Sequence, residues 1–196
     1  YTIFDERVEG VYEPRLILPF KIGKNTAVKR LENEFSRRIF APESFLAQAT
    51  VEKMEGNYVP FWLYDMKAYC HYAGTGTRVR VWVSGDTEFT ETSYFQVNRD
   101  MDVDFEKLPV DASLAMEDNV MDLMEPYGYE ALENFRPEYM SGFLGEIYNQ
   151  DAETLEKRAR DKAGRDASVM LHNTLNGYTT LIPQQENISL NSTQSS

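Results

Sequence analysis

Alternation of side chains between Tyr58 and Tyr72 constrains the fold of this chain more than any other feature of its sequence. Aromatic and apolar side chains, such as Trp62 and Tyr64, hold one parity of the stretch, and Asp65 and Lys67 hold the other. Because successive side chains of a β-strand point to opposite faces, this pattern predicts a strand with one face against a core. Other elements must then cover that face.

Further strands are predicted downstream, separated by tight turns. Gly74–Gly76 and Ser84–Asp86 are predicted to turn the chain, because glycine, serine and aspartate favour turn conformations. The segments between and after these turns alternate again, over residues 78–83, 89–97 and 103–108. In the last of these, acidic residues alternate with Val103 and Phe105 and are expected to face water.

Helical spacing appears mainly after the strands. One helix is predicted after Gly23, one after Ser113, one from Pro137, and a long charged one over residues 152–175, before a final strand at 177–182. Strands followed by helices predict an α+β fold, with an antiparallel meander sheet packed against several helices.

The length of 196 residues predicts a single domain over residues 1–183 and a polar C-terminal tail over 184–196. The chain begins with Tyr1, so we expect it to be cut from a longer protein. No apolar run approaches the roughly 18 residues that a membrane-spanning helix needs, and no membrane span is expected.

Negative charge is concentrated in one segment. Of a net charge of −12, the stretch from Asp100 to Glu133 carries eleven acidic residues and a single lysine, Lys107. Nucleic-acid affinity comes largely from lysine and arginine neutralising phosphates, and this segment would repel them. Direct nucleic-acid binding is therefore not expected here, and a basic protein partner suits the segment better.

Asp65 and Asp111 are the least generic carboxylates and the candidates for catalysis. A general acid/base pair would need one carboxylate in an apolar pocket and the other in a solvated position. This leaves open an alternative function, a small-ligand-binding or hydrolytic domain with its carboxylates in a cleft between sheet and helices.

No metal or cofactor is expected in this segment. Cys70 is the single cysteine and His71 and His172 are the only histidines, which is too few for a common zinc site. Neither a phosphate-binding loop nor a dinucleotide-binding glycine motif is present. A single cysteine also favours a reducing, cytoplasmic location.

Several proline and aromatic motifs occur in order along the chain: Leu18-Pro19-Phe20-Lys21, Tyr58-Val59-Pro60-Phe61-Trp62-Leu63-Tyr64-Asp65, Leu108-Pro109-Val110-Asp111, Glu125-Pro126-Tyr127 and Ser141-Gly142-Phe143. Together, from Leu18 to Ile182, they resemble the central region of a bacterial family labelled TFIIB-type zinc ribbon-containing protein, whose members are often named replication-restart helicases. The resemblance covers most of the chain.

The resemblance implies an α+β region that adjoins a cysteine-rich zinc ribbon. This sequence lacks the ribbon, so zinc is expected only in that absent part, and the family supplies no catalytic residues to carry over. Some members of the family that the chain resembles are encoded beside envelope-stress proteins of the phage-shock and band-7 kinds. That implies a cytoplasmic protein associated with the membrane through partners.

These observations favour a non-catalytic interaction or scaffold domain, whose contact surface is the acidic segment or an exposed sheet edge. A second alternative is an accessory module of a nucleic-acid-associated protein, with contacts from Lys29, Arg30, Arg37 and Arg38, or from Lys157, Arg158 and Arg160. The motif residues are expected to fill the core. They are Pro19, Phe20, Pro60, Phe61, Trp62, Tyr64, Pro109, Glu125, Pro126 and Gly142.

Overall fold

A computed structural model of the chain describes residues 14–36, 55–115 and 117–195. The chain forms two compact units: unit 1 comprises Tyr1–Pro60 and Asp111–Asn149, and unit 2 comprises Phe61–Val110 and Gln150–Ser196. The sequence predicted a single domain over residues 1–183. The structure instead groups these residues in two units, because the chain leaves unit 1 after Pro60 and returns to it at Asp111.

Unit 2 is a three-stranded sheet with a helix packed on one face. Two long strands, β3 (Phe61–Ser84) and β4 (Thr87–Asp111), form a hairpin around Gly85 and Asp86. The third strand, β7 (Thr180–Ser195), pairs antiparallel with the other side of β3, which gives the order β4-β3-β7. The helix α3 (Ala152–Asn173) contacts β3 and β7.

The predicted parity of β3 is confirmed. Tyr64, Met66, Ala68, Cys70 and Tyr72 are buried, whereas the alternate residues from Asp65 to His71 are exposed or half-buried. Against this buried face α3 places residues at helical spacing. Its buried residues are Leu155, Ala159, Lys162, Ala163, Ala167 and Leu171.

The predicted turn at Gly74–Gly76 is wrong, because β3 continues through these residues. Their glycines serve close packing instead. A Cβ on Gly74 would lie 2.6 Å from the carbonyl oxygen of Ile182, and one on Gly76 would overlap the ring of Tyr178. Glycine is common in strands where another backbone or a ring approaches this closely. The predicted turn at Ser84–Asp86 is confirmed, and Gly85 has a φ of +63° there.

The predicted polar tail over 184–196 is also wrong for the described residues, because β7 runs to Ser195. Its ladder with β3 extends from Thr77↔Thr180 to Tyr64↔Ser195, with irregularities between Ala73 and Gly74 and between Asp65 and Met66. Ile188 and Leu190 of this segment pack against the core of unit 2.

Unit 1 consists of short elements. β1 (Leu16–Ile17) pairs antiparallel with β5 (Glu133–Asn134), and β2 (Asn57–Tyr58) pairs in parallel with β6 (Leu144–Gly145). Among its described residues the helices are α1 (Lys24–Ser36) and α2 (Asp118–Leu123), with single 3₁₀ turns at Tyr129–Ala131 and Pro137–Met140.

Two helix predictions in unit 1 need correction. The helix expected to begin at Ser113 begins after Glu117, because Ser113 is buried and its hydroxyl donates to Glu146 instead. The helix expected from Pro137 is a single 3₁₀ turn that ends before Ser141 and Gly142, where φ of +82° leaves the helical region. Residues 37–39 of the first predicted helix lie outside the described residues.

The α+β class, with a main antiparallel sheet, is confirmed.

Candidate interaction surface

Four acidic side chains stand in a row on the exposed face of β4. The residues between them, Met101, Val103 and Phe105, are half-buried and pack against the core. Since alternate side chains of a strand share a face, the four carboxylates point away from that core. This acidic strip consists of Asp100, Asp102, Asp104 and Glu106.

Side chains of β3 contact the acidic strip. Lys67 Nζ lies 3.2 Å from Asp104 Oδ1. Asp100 Oδ1 accepts hydrogen bonds from His71 Nδ1 at 2.7 Å and from the Tyr69 hydroxyl at 3.0 Å. The bond from His71, and next that from Tyr69, hold the pKa of Asp100 below its usual value, while the bond to Asp100 raises the pKa of Tyr69. Asp100 therefore stays ionised at neutral pH.

The acidic segment predicted between Asp100 and Glu133 is divided by the fold. Its first part, the acidic strip, belongs to unit 2, and from Asp111 onward it belongs to unit 1. There Glu117 and Asp118 are exposed around α2 and Asp122 is half-buried, whereas Asp111 is buried. Each unit therefore carries its own acidic surface.

The two candidate catalytic carboxylates occupy different units. Asp65 is exposed on β3, and its Oδ1 accepts a hydrogen bond of 2.8 Å from the backbone N–H of Lys107, whose φ is +55°. Asp111 is 1% exposed, and its Oδ1 accepts from the backbone N–H of Ser113 at 2.9 Å. Both hydrogen bonds fix local backbone geometry.

A two-stranded extension of the sheet forms a second exposed surface. The ladder between β3 and β7 ends at Thr77, and every residue from 78 to 92 is exposed. We call residues 78–84 and 87–93 the hairpin arm. One of its faces carries Val79, Val81 and Val83, which are 42%, 55% and 67% exposed. Contiguous apolar exposure of this kind is typical of interaction sites.

The opposite face of the hairpin arm and its base carry arginines on aromatic rings. The Trp82 and Phe89 rings are stacked with centroids 5.5 Å apart, and the Arg80 guanidinium lies 5.4 Å from the Trp82 ring. Arg78 lies 5.2 Å from the ring of Phe95, beyond the arm, and 5.5 Å from that of Tyr178. These contacts stabilise a hairpin that would otherwise be marginal in water.

Three motif residues of unit 2 hold α3 and the segment just before it against the sheet. The Tyr64 hydroxyl donates to the carbonyl of Ala152 at 2.6 Å, and Trp62 Nε1 donates to that of Gln150 at 2.9 Å. Burial, with the nearby Glu156 and Asp151, raises the pKa of Tyr64 to about 12. Pro109, also buried, offers its carbonyl to Lys162 Nζ at 3.0 Å.

Lys162 was not recognised from the sequence as an interior residue, although its side chain is buried. A signal was available, because Lys162 follows Leu155 by seven positions and so falls on the inward stripe of α3. The positive charge of lysine, however, normally favours a solvated position. The hydrogen bond to Pro109 satisfies the buried ammonium in part.

In unit 1 the motif residues form a ring cluster that is partly open to solvent. Phe20 stacks on Phe143 with centroids 4.6 Å apart, and its edge meets Tyr58 at 4.9 Å. Phe20 is nevertheless 44% exposed, which differs from the interior position expected for it. Of the other motif residues, Pro126 and Gly142 are exposed, and those half-buried are Pro19, Pro60, Phe61 and Glu125.

The arginines and lysines considered for nucleic-acid contact have varied surroundings. Lys29 and Arg30 are exposed on α1, whereas Arg37 and Arg38 lie outside the described residues. Arg160 on α3 is engaged within unit 2, with Glu156 at 2.9 Å and the Leu190 carbonyl at 3.1 Å.

Three further features concern the described residues alone. Among them, no group of three or more histidine, cysteine, aspartate or glutamate side chains is placed to hold a metal ion. No helix among them is both long enough and apolar enough to span a membrane. A shallow hollow in unit 1 is lined by Leu16, Leu132, Glu133, Asn134 and Arg136, and Asp111 does not line it.

Comparison with known proteins finds a relative but no function. The chain is similar to the uncharacterized protein YdjG of Bacillus subtilis strain 168, with 33% identity over 187 residues that cover 95% of this chain and 55% of YdjG. The chain thus spans about half the length of this relative. No family model matches the chain, and no solved structure matches it.

Proposed function

We propose that this chain is a non-catalytic interaction or scaffold domain that binds a basic protein surface through the acidic strip. The observation that carries the proposal is the row of four exposed carboxylates on a rigid strand, with Asp100 held ionised by His71 and Tyr69. A fixed row of like charges attracts an oppositely charged partner and sets its orientation.

The wider setting is part of the same proposal. The proline and aromatic motifs support membership of the zinc-ribbon family, with zinc confined to a ribbon outside this segment. We place the protein in the cytoplasm, with no cofactor in this segment and no direct contact of the segment with nucleic acid. Its partners would include envelope-stress proteins, through which it would reach the membrane.

Neutralising the acidic strip tests the proposal. Affinity capture with the full-length protein at native expression should recover a basic partner, and Asp102→Asn/Asp104→Asn/Glu106→Gln should abolish that recovery. The matched control, Asp86→Asn/Glu88→Gln/Glu91→Gln, removes the same number of exposed acids from the hairpin arm and its turn and should leave capture unchanged. Equal loss in both variants would show a general charge effect and contradict the proposal.

Salt gives a second readout with the partner so identified. Exposed charge pairs are screened beyond about 10 Å at 0.1 M salt, so the association rate should fall at least about tenfold at about 0.5 M. A rate that does not change with salt would exclude the acidic strip as the contact.

A further inference from the structure

One side of the hairpin arm has its backbone open for pairing. The Thr77 carbonyl accepts from the Thr179 N–H, and the Val79 N–H donates to the Thr179 hydroxyl at 3.1 Å. Odd-numbered residues of β3 therefore direct their backbone groups toward the β7 side. Alternate residues of a strand share this direction, so Val81 and Val83 do the same. No described strand pairs with β3 on that side beyond Thr77.

The open edge has the composition of a strand that accepts another strand. It reads Arg78-Val79-Arg80-Val81-Trp82-Val83-Ser84, which is rich in β-branched and aromatic residues. Proteins usually protect such edges with proline, lysine or a bulge, and this segment contains neither proline nor lysine. Val81 and Val83 are more than half exposed.

We propose that two copies of this chain pair through this edge, antiparallel, about a two-fold axis at Val81. The pairing sets Val81 opposite Val81 of the second copy. It also sets Val79 opposite Val83, and Arg80 opposite Trp82. The two hairpin arms then form one four-stranded sheet, in which the N–H and C=O of the two Val81 residues bond each other.

The segment is self-complementary in this register. Six valines, three from each copy, form a continuous apolar face, and each Arg80 meets an indole instead of another cation. Within one chain Arg80 already lies 5.4 Å from the Trp82 ring, so this contact suits both side chains. Arg78 lies opposite Ser84, and no like charges face each other.

Neighbouring registers are less favourable. An axis at Arg80 would oppose two arginines and would use backbone groups that face β4. An axis at Val83 would run into the turn at Gly85 within two residues. With the axis at Val81, each of the seven residues from Arg78 to Ser84 lies opposite a residue of the second copy. The fit of the segment to itself is why we choose a second copy over an unrelated strand.

Sedimentation equilibrium of the intact chain tests the association. We expect twice the chain mass of 22.7 kDa at high concentration, falling to the single mass on dilution. Val81→Lys places like charges across the axis and should raise the dissociation constant at least about tenfold. The matched control is Thr90→Lys, because the two-residue turn sets Thr90 across from Val81 on β4, away from the open edge. It should leave the constant within about threefold.

Engineered cysteines test the register. Cys70 is the only native cysteine and is fully buried. In Val81→Cys the two Cα atoms would lie about 5.5 Å apart, within disulfide range, so oxidation should link two chains. In Val83→Cys the new thiols would be four positions out of step, about 13 Å apart, and should remain unlinked.

Three results would overturn the proposal. One is a single-chain mass at every concentration up to about 0.5 mM, a range in which weak dimers still register. Another is cross-linking of Val83→Cys as fast as that of Val81→Cys, which would show contact elsewhere. The third is a monomeric chain that binds a fluorescein-labelled single-stranded oligonucleotide and loses this binding in Trp82→Ala, which would assign the arm to nucleic acid.

Discussion

The two halves of β3 alternate in the same way but have different surroundings. From Tyr64 to Gly76 the even-numbered residues are buried beneath α3, with β7 alongside. From Arg78 to Ser84 both faces are exposed, and only β4 is paired with the strand. The change occurs at Thr77, where the ladder with β7 ends.

This difference shows what alternation does and does not indicate. It predicts that a segment is extended, since the side chains of both halves follow a period of two. It does not say whether another element covers the apolar face. In unit 2 the helix ends at Asn173 and the return strand begins at Thr180, so the valines of the hairpin arm have no cover within that unit.

The largest expected effect comes from removing a covering strand. Truncation after Pro183 deletes the residues that pair with Tyr64–Ala73, together with Ile188 and Leu190. We expect unit 2 to lose its cooperative unfolding transition, since the loss is comparable to the total stability of a domain, about 5–15 kcal/mol. Circular dichroism during urea unfolding measures this.

The matched deletion shortens the hairpin arm by a similar number of residues. Removing 78–83 and 88–93 keeps the turn at Gly85 and the parity of both strands. We expect the free energy of unfolding to change by no more than about 1 kcal/mol, because a lone two-stranded hairpin is marginal. Unfolding of this variant, or folding of the truncated chain, would contradict the comparison.

The next effect concerns a single core side chain. Leu171 on α3 is fully buried, so Leu171→Ala should lower the free energy of unfolding by about 2–5 kcal/mol through lost burial and a cavity. Val81→Ala in the hairpin arm should change it by less than about 0.5 kcal/mol, as is usual at exposed positions. Urea unfolding of the two variants compares their losses in free energy of unfolding. Equal losses would refute the idea that the arm is uncovered.

Lys162 allows a finer test of the covered half. Lys162→Met keeps the apolar stem but removes the hydrogen bond to the Pro109 carbonyl. We expect a loss of about 1–3 kcal/mol, the usual effect of leaving a buried polar group without its partner. Lys157→Met, at an exposed position of the same helix, is the control and should be neutral. If Lys162→Met were more stable than the wild type, the free-energy cost of burying the ammonium would exceed the gain from its hydrogen bond.

The smallest effect lies in the acidic strip and depends on pH. His71→Ala removes the main hydrogen bond that lowers the pKa of Asp100, so this pKa should rise toward its usual value of 3.8, and Tyr69→Phe should raise it less. A carboxyl with a lowered pKa adds stability above its unfolded-state pKa and loses it as pH falls through the folded-state value. The wild type and His71→Ala should therefore converge in stability below that pH. Carbon-13 NMR titration measures the pKa, and an unchanged value in His71→Ala would contradict the contact.

Local patterns predicted the elements whose environment is uniform along their length. The parity of β3 and the inward stripe of α3 follow from residue spacing, and so does the acidic strip, whose carboxylates alternate with Val103 and Phe105. Met170 is an exception, because its spacing matches the inward residues of α3 but its side chain is 45% exposed. The exposure of the hairpin arm was not predictable, because it depends on where α3 and β7 end.

The continuation of the C-terminal strand beyond Ile182 was missed for a specific reason. In the ladder, Leu181 lies opposite Gly76, whereas Glu186 and Ile188 lie opposite Tyr72 and Cys70. The inward residues thus change from odd to even numbers near Gln184, where β7 contains one extra residue. A bulge of this kind interrupts the period of two, and Pro183 precedes it. Without knowledge of the partner strand, the alternation of side chains can be followed only as far as that point.

The extra residue at Gln184 also affects how the length of this strand can vary. Without it, Gln185 would follow Pro183 directly and the ladder would become regular, so Ile188 and Leu190 would keep their partners Cys70 and Ala68. Deleting Ser189 would instead set Leu190 opposite Tyr69 and turn it to the outer face. Homologous chains that share this sheet should therefore place a one-residue gap at Gln184 and not between Ile188 and Leu190.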